Sequence, residues 1–313
     1  MALDIVTFGE SMAMFMADQA GELHKDSKFT LALAGSETNV SVGLSRLGYK
    51  VGWVSKVGDD LFGKFIMQSL KDEGVDTSSV RVDPKYPTGF LLKSKVFTGD
   101  PEVQYYRSGS AASTLSGKDV VPTYFTGARH LHMTGIPPAL SESAKEFTKC
   151  VLQKMKANKG TISFDPNLRP NLWSSQNEMV NTINELAVQT DWVLPGISEG
   201  KILTGYNDPR DIAAYYLDKG VKVVVVKLGP AGAYYRTQTE ENTITGFKVK
   251  EVVDTVGAGD GFAVGFVSGL IDGLSLTQAC VRANAIGALA VMSPGDMDGL
   301  PTRKQLEAFI VNN

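Results

Sequence analysis

The segment Asp254-Thr255-Val256-Gly257-Ala258-Gly259-Asp260-Gly261-Phe262 combines small residues, two carboxylates and the start of an apolar run. Residues this small let the backbone turn tightly and present successive N–H groups. The helix expected over residues 259–272 adds the positive end of its dipole behind them, and that combination makes an anion site. Asp260 is odd in this setting, because a carboxylate repels an anion. Either it removes a proton while the amides hold the charge that develops beside it, or it sits in the first helical turn and only complements the dipole. The glycine spacing is GxGxG rather than GxGxxG, and no βαβ opening with a ribose-binding acid accompanies it, so a dinucleotide fingerprint is excluded. Neither GxxxxGK[ST] nor HExxH occurs, and any nucleotide must be held by another device.

Other candidates stand where strands are expected to end. Tyr105-Tyr106-Arg107 closes one strand, and Asp165-Pro166-Asn167-Leu168-Arg169-Pro170 follows another, at the place where α/β proteins bind ligands. Two arginines, Arg107 and Arg169, reaching one pocket suit an anionic substrate, since a guanidinium fork matches a carboxylate; singly, each also serves as a surface ion pair. Lys227-Leu228-Gly229-Pro230-Ala231-Gly232 reads equally as a solvated strand end followed by turn formers. His24, His130 and His132 receive no chemical role, and Cys150 and Cys280 read as helix thiols without chemistry.

These groups need a scaffold, and the 313 residues suffice for a full core without disulfides or a structural metal. Hydrophobic residues make up 43% and charged residues 21%, which excludes disordered and fibrous chains. Lys and Arg number 31 against 34 Asp and Glu, so a net charge of −3 offers no footprint for nucleic acid. The two cysteines form no CxxC or zinc spacing, and a reducing cytoplasm is expected. Residues 1–10 carry Asp4 and Glu10 and do not read as a signal peptide. The apolar stretches 261–271 and 283–292 are too short and Gly-rich to span a bilayer.

Strands are expected at 4–8, 11–17 and 51–57, with helices at 39–47 and 60–73, the latter placing Leu61, Phe65, Ile66 and Leu70 on one face. Residues 88–97 and 103–107 read as a hairpin around Thr98-Gly99-Asp100-Pro101. With residues 11–33 they suggest a small antiparallel sheet set apart from the main body. From residue 129 strands and helices alternate: strands at 130–134, 161–165, 191–194 and 222–228, helices at 143–157, 176–189, 198–204 and 208–219. Further strands are expected at 232–236 and 243–249, and helices at 259–272, 275–292 and 302–311. The expected fold is a doubly wound, mostly parallel α/β sheet flanked by helices, one domain over 1–313, with β lid segments 11–33 and 88–107 inserted in its N-terminal third. The Met-rich lid strand, apolar on both faces, points to a homodimer or higher homo-oligomer.

The run from Asp254 to Phe262 resembles the C-terminal signature DTxGAGDxF of the PfkB (ribokinase-like) family of carbohydrate kinases. Ala34-Gly35-Ser36-Glu37-Thr38-Asn39-Val40-Ser41, with Gly48 and Gly58, resembles its N-terminal signature, Glu37 standing where many sugar kinases carry proline or another small residue. The resemblance spans the whole chain and implies a ribokinase-like fold and metal-dependent use of ATP. It makes Asp260 the base for the acceptor hydroxyl, and Gly257, Ala258 and Gly259 the anion hole. It further implies Lys227, Gly229 and Gly232 in a nucleotide loop, Asn284 near the adenine, and Gly35 and Asn39 in the sugar pocket. The family's NxxE motif stands here as Gly196-Ile197-Ser198-Glu199, so Glu199 is expected to act on Mg2+ through water and Ser198 to touch the nucleotide, while the asparagine is missing. Tyr105-Tyr106-Arg107, the stretch around Arg169, and Gly295-Asp296-Met297-Asp298-Gly299 most resemble the 2-keto-3-deoxygluconate kinases, with fructokinases second. That likeness places Asp296 near the polyol end of the substrate and Phe90 as an apolar wall. A non-catalytic sugar-binding regulator is the contrasting reading; an intact anion hole with a base argues against it.

Overall fold

The computed structural model describes residues 3–96 and 101–313. Its strands are β1 (Ile5–Phe8), β2 (Met12–Ala20), β3 (Phe29–Ala34), β4 (Val51–Val54), β5 (Lys56–Gly58), β6 (Arg81–Asp83), β7 (Phe90–Lys95), β8 (Val103–Tyr106), β9 (His130–Thr134), β10 (Thr161–Asp165), β11 (Trp192–Val193), β12 (Val223–Lys227), β13 (Ala233–Arg236) and β14 (Glu241–Ile244). Eight of them form the main sheet in the order β14-β13-β12-β11-β10-β9-β1-β4. The pairs from β4 through β12 are parallel, and only β13 and β14 run antiparallel. β12 reads Val-Val-Val-Val-Lys and its valines are buried, as a strand covered on both faces requires.

The two faces carry separate cores. Phe147, Val151, Met179, Ile183 and Tyr216, from helices Glu142–Ala157, Gln176–Ala187 and Pro209–Leu217, pack on one face. Val40, Leu44, Ile66, Phe266 and Ile286, from helices Ser36–Arg46, Leu61–Asp72, Ala258–Ile271 and Leu276–Ala290, pack on the other. Helix starts follow local chemistry: Asp60 accepts from the Gly63 amide at 2.7 Å, and Ser141 accepts from the Ala144 amide at 3.1 Å. His130 and His132 are buried and bonded to Thr161 and Ser163, and burial holds both below the usual histidine range. Cys150 and Cys280 are free thiols.

Several expectations change. The helix expected from residue 39 begins at Ser36, because Ser36, Glu37 and Thr38 are polar residues that are nevertheless buried, which hides the helical period. The strand expected over 51–57 breaks at Ser55, whose hydroxyl donates to the Gly9 carbonyl at 2.6 Å; beyond it β5 leaves the main sheet and pairs with β6. Leu61 is 80% exposed, since it opens its helix on the outward side. The strand expected at 243–249 ends at Ile244. The small sheet, ordered β3-β2-β7-β8, is not purely antiparallel: β2 and β7 pair parallel, which the long connection between them permits. β7 and β8 are the expected antiparallel pair. Phe97, expected to end the first strand, and Thr98, Gly99 and Asp100 of the expected turn lie outside the described residues.

Candidate active site

In the main sheet the chain passes from β1 to β4 on one side and then to β9 on the other, so the crevice lies beyond the carboxyl ends of β1, β9, β10 and β12. Glu10 follows β1, Ile136 follows β9, Asp165 ends β10 and Lys227 ends β12. All four line one polar cavity of about 340 Å³. The cavity also takes Gly35, Ser36, Glu37 and Asn39 from the cap and start of the first helix, Leu91 and Tyr105 from the small sheet, and Arg107 just after β8. Arg169, Thr255, Gly257, Gly259, Asp260 and Asp296 are among the rest of its lining. A second, largely apolar cavity of about 290 Å³ adjoins it, lined by Gly229, Gly232, Phe247, Val252, Ala258, Phe262, Asn284 and Val291 among others. Lys227, Thr255 and Gly259 line both, so the two spaces meet at the anion loop.

Gly257 caps the helix that starts at Ala258 with a φ of 82°, a left-handed conformation that suits glycine, and a Cβ there would lie 2.4 Å from the Asp296 carbonyl oxygen. The first intrahelical bond runs from the Gly261 amide to the Gly257 carbonyl at 2.8 Å, and the Ala258 amide reaches the Thr255 carbonyl only at 3.4 Å, so the helix start presents N–H groups where an anion can bind. Asp260 is buried. Its Oδ1 accepts from Ser36 Oγ at 2.6 Å and its Oδ2 from Asn39 Nδ2 at 2.7 Å. Burial raises its pKa above the ordinary aspartate value, against the two hydrogen bonds and the charges of Arg169 and Lys227, which lower it. A chain of contacts extends outward: Asn167 Nδ2 donates to Ser36 Oγ at 2.7 Å, and Arg169 Nη1 donates to Asn167 Oδ1 at 2.7 Å. Asn167 takes a φ of 39°, so the residue that joins Arg169 to Ser36 sits in a conformation asparagine tolerates better than most.

The remaining charges are largely paired. Arg107 Nε and Nη2 both lie 2.6 Å from Glu10 Oε2, and Ser110 donates to the other Glu10 oxygen. Lys227 Nζ contacts both Asp165 oxygens, at 2.6 and 2.8 Å. Burial opposes the Lys227 charge, but Asp165, Glu199 and Asp260 outweigh it and hold the ammonium protonated. Lys93 reaches from β7 to Asp254 Oδ2 at 2.5 Å and to Asp296 Oδ1 at 3.4 Å. Glu37 is wholly buried, accepts from Thr134 Oγ1 on one oxygen and has no partner on the other among the described residues; burial pushes its carboxyl up to about 7.

The structure thus gathers Asp260, Gly257, Gly259, Gly35, Asn39, Tyr105, Arg107, Arg169 and Asp296 around the polar cavity. Gly229, Gly232, Ala258 and Asn284 lie around the apolar one; the Asn284 amide donates to the Ile244 and Thr245 carbonyls. Phe90 and Tyr106 do not join them. They stack on each other, ring centroids 4.7 Å apart, on the other face of the small sheet, because side chains alternate along β7 and β8. The wall expected of Phe90 is supplied by its neighbour Leu91. Ser198 is exposed and lines neither cavity. Glu199 has both oxygens on backbone amides, Oε2 on Gly196 at 2.7 Å and Oε1 on Leu168 at 2.8 Å, so it ties the 165–169 segment to the helix Ile197–Thr204. The sequence expectations do not include Glu10, Ser36, Leu91, Lys93, Ile136 or Asn167 as site residues. Ser36 and Asn167 stand inside the segments 34–41 and 165–170 that resemble family motifs, whereas Lys93 carries no local signal.

The model of the pfkB family carbohydrate kinases matches residues 2–303. The chain is 58% identical over 311 residues to a 2-dehydro-3-deoxygluconokinase of Bacillus subtilis (strain 168), across 99% of this chain and 96% of the relative. A 2-dehydro-3-deoxygluconokinase of Thermoproteus tenax is 32% identical over 314 residues, across 98% of this chain and 94% of the relative. Among solved structures, a putative ribokinase II from E. coli in complex with ATP and Mg2+ matches with a TM-score of 0.91 and 30% identity, covering 99% of this chain and 100% of that one.

Proposed function

The chain belongs to the PfkB family of carbohydrate kinases, and on that premise we propose that it transfers the γ-phosphoryl group of ATP to the 6-hydroxyl of 2-keto-3-deoxygluconate (2-dehydro-3-deoxygluconate). The observation that carries the reading is the junction of a polar and an apolar cavity at one anion loop, with a buried carboxylate on the polar side. ATP fits the apolar side: Phe247, Val252 and Val291 offer surface for a base, and the loop at Gly257–Gly259 offers amides for phosphates. In this mechanism Asp260 takes the proton of the 6-hydroxyl as its oxygen bonds to the γ-phosphorus. The bond to the β-phosphate oxygen breaks, and ADP leaves. The amides of Gly257, Ala258 and Gly259 hold the charge on the moving group. A raised pKa makes Asp260 a stronger base than an ordinary carboxylate.

Magnesium fits here as a companion of the nucleotide rather than as a resident of the protein. Among the described residues no group of three His, Cys, Asp or Glu side chains is placed to hold a metal ion, and Glu199 is already occupied by two amides. Bound to the phosphates, the ion would neutralise their charge, and Glu199 would meet it only through water.

The acid end of the substrate is assigned to Arg169, with Arg107 beside it. Arg107 already spends one edge on Glu10, and removing it would strand a buried carboxylate, so Arg169 is the cleaner probe. A charge-assisted hydrogen bond contributes about 1.5–3 kcal/mol, or about 10- to 150-fold in affinity. Arg169 also reaches Asp260 through Asn167 and Ser36, so Arg169→Ala should slow every acceptor somewhat. The ratio of kcat/KM for 2-keto-3-deoxygluconate to that for fructose should fall by about that factor. On the unmodified protein the sugar acid should be the better acceptor by ADP release; fructose preferred over the acid would defeat the sugar-acid assignment.

A further inference from the structure

Lys93 is 5% exposed, on the inward face of β7 that also carries Leu91 into the polar cavity. Its ammonium lies between two buried carboxylates, Asp254 at 2.5 Å and Asp296 at 3.4 Å. Both belong to the backbone that shapes the anion loop. Asp254 opens the loop and accepts the Val256 amide on its other oxygen at 3.0 Å, and the Asp296 carbonyl is the atom against which Gly257 is packed. Among the described residues both salt bridges to these carboxylates come from Lys93. Without it, two negative charges would face each other out of water beside a third, Asp260, and each would be pushed toward repulsion or protonation. Burial already raises the Asp296 carboxyl to about 6, with Lys93 pulling it down and Asp260 and Asp254 pushing it up.

We infer that Lys93 is a positioning residue for phosphoryl transfer: the small sheet that walls the sugar cavity also supplies the cation that holds the 254–259 loop in its working shape. The strand that touches the acceptor thereby sets the geometry of the loop that holds the phosphoryl group. This goes beyond the assignment of base and anion hole and rests on the kinase reading only for its turnover arm.

Two arms test it on the full-length protein. In Lys93→Ala, the amides of residues 254–260 should exchange with solvent faster than in the unmodified protein, while those of β10 and β12 keep their rates. Ethylammonium, which returns a primary ammonium to the vacated space, should slow them again; tetramethylammonium, which has no N–H, should not. Exchange needs no turnover, so this arm judges Lys93 even if the unmodified protein phosphorylates no sugar acid, an outcome that would sink the kinase reading alone. In the turnover arm kcat should fall about tenfold to a hundredfold, the scale of a displacement of roughly 1 Å. The KM for ATP should change far less, and ethylammonium should restore part of the loss. Unchanged loop exchange overturns the inference, as does a loss of kcat that ethylammonium leaves untouched. If Lys93→Ala does not fold, Lys93→Met keeps the stem and removes the charge, and loop exchange equal to the unmodified protein's would overturn the inference on that variant.

Discussion

Ser36→Ala isolates how the protein sets the strength of its base. Ser36 Oγ is buried, donates to Asp260 Oδ1 at 2.6 Å, and accepts from Asn167 at 2.7 Å. A hydroxyl that donates to a carboxylate stabilises the ionised form and lowers its pKa, so deleting it must raise the Asp260 pKa further above its ordinary range. The base works ionised, and kcat/KM therefore falls as pH drops through that pKa. A hydrogen bond to a charged group contributes about 1.5–3 kcal/mol, and about 1.4 kcal/mol displaces a titration by one pH unit, so the acid limb of kcat/KM should move up by about one to two pH units. Above the limb Asp260 is ionised in both proteins and still bonded to Asn39, and the variant should keep most of its turnover. The assay is ADP release with the sugar acid across the acid and neutral range. An acid limb left in place, or moved to lower pH, would refute the claim that Ser36 tunes Asp260. A uniform loss at every pH would instead reduce Ser36 to a structural contact.

Asp260→Asn should reduce kcat by about 10²–10⁴-fold while calorimetry finds ATP still bound; near-normal turnover at saturating substrate would remove Asp260 from the mechanism. Glu37 gives a stability prediction of opposite sign to the usual carboxylate. Its folded pKa of about 7 lies above the unfolded 4.5, so the folded state binds the extra proton between those values and stability falls as pH rises through that window. Glu37→Gln removes that proton linkage, and relative to it the unmodified protein should lose on the order of 3 kcal/mol from the acid to the alkaline side. Denaturant melts at the two ends of the window check this, and a constant difference between the two proteins would mean that Glu37 is ionised throughout.

By itself the sequence determined the scaffold and the centre of the chemistry. Alternating strands and helices from residue 129, the four-valine strand and the small-residue loop ahead of Asp260 are local signals. They follow from period, backbone freedom and dipole within a few residues, and the structure keeps them close to where they were read. The tertiary structure decided what depends on contacts between distant segments. Whether Phe90 or Leu91 faces the cavity turns on which way one strand is rolled, and a shift of one residue exchanges the two faces. Residues 36–38 are helical although polar because their partners, Asp260, Ser11 and Thr134, come from elsewhere in the chain. The sequence leaves Arg107 open between a fork for an anionic substrate and a surface ion pair, and the fold half engages it with Glu10, 97 residues away. Lys93 stands in an ordinary strand sequence and acquires its place only because 161 and 203 residues further on Asp254 and Asp296 fold against it. Pairing of buried charge is a property of the packed interior, where the energy of each group depends on which other charges have left water with it.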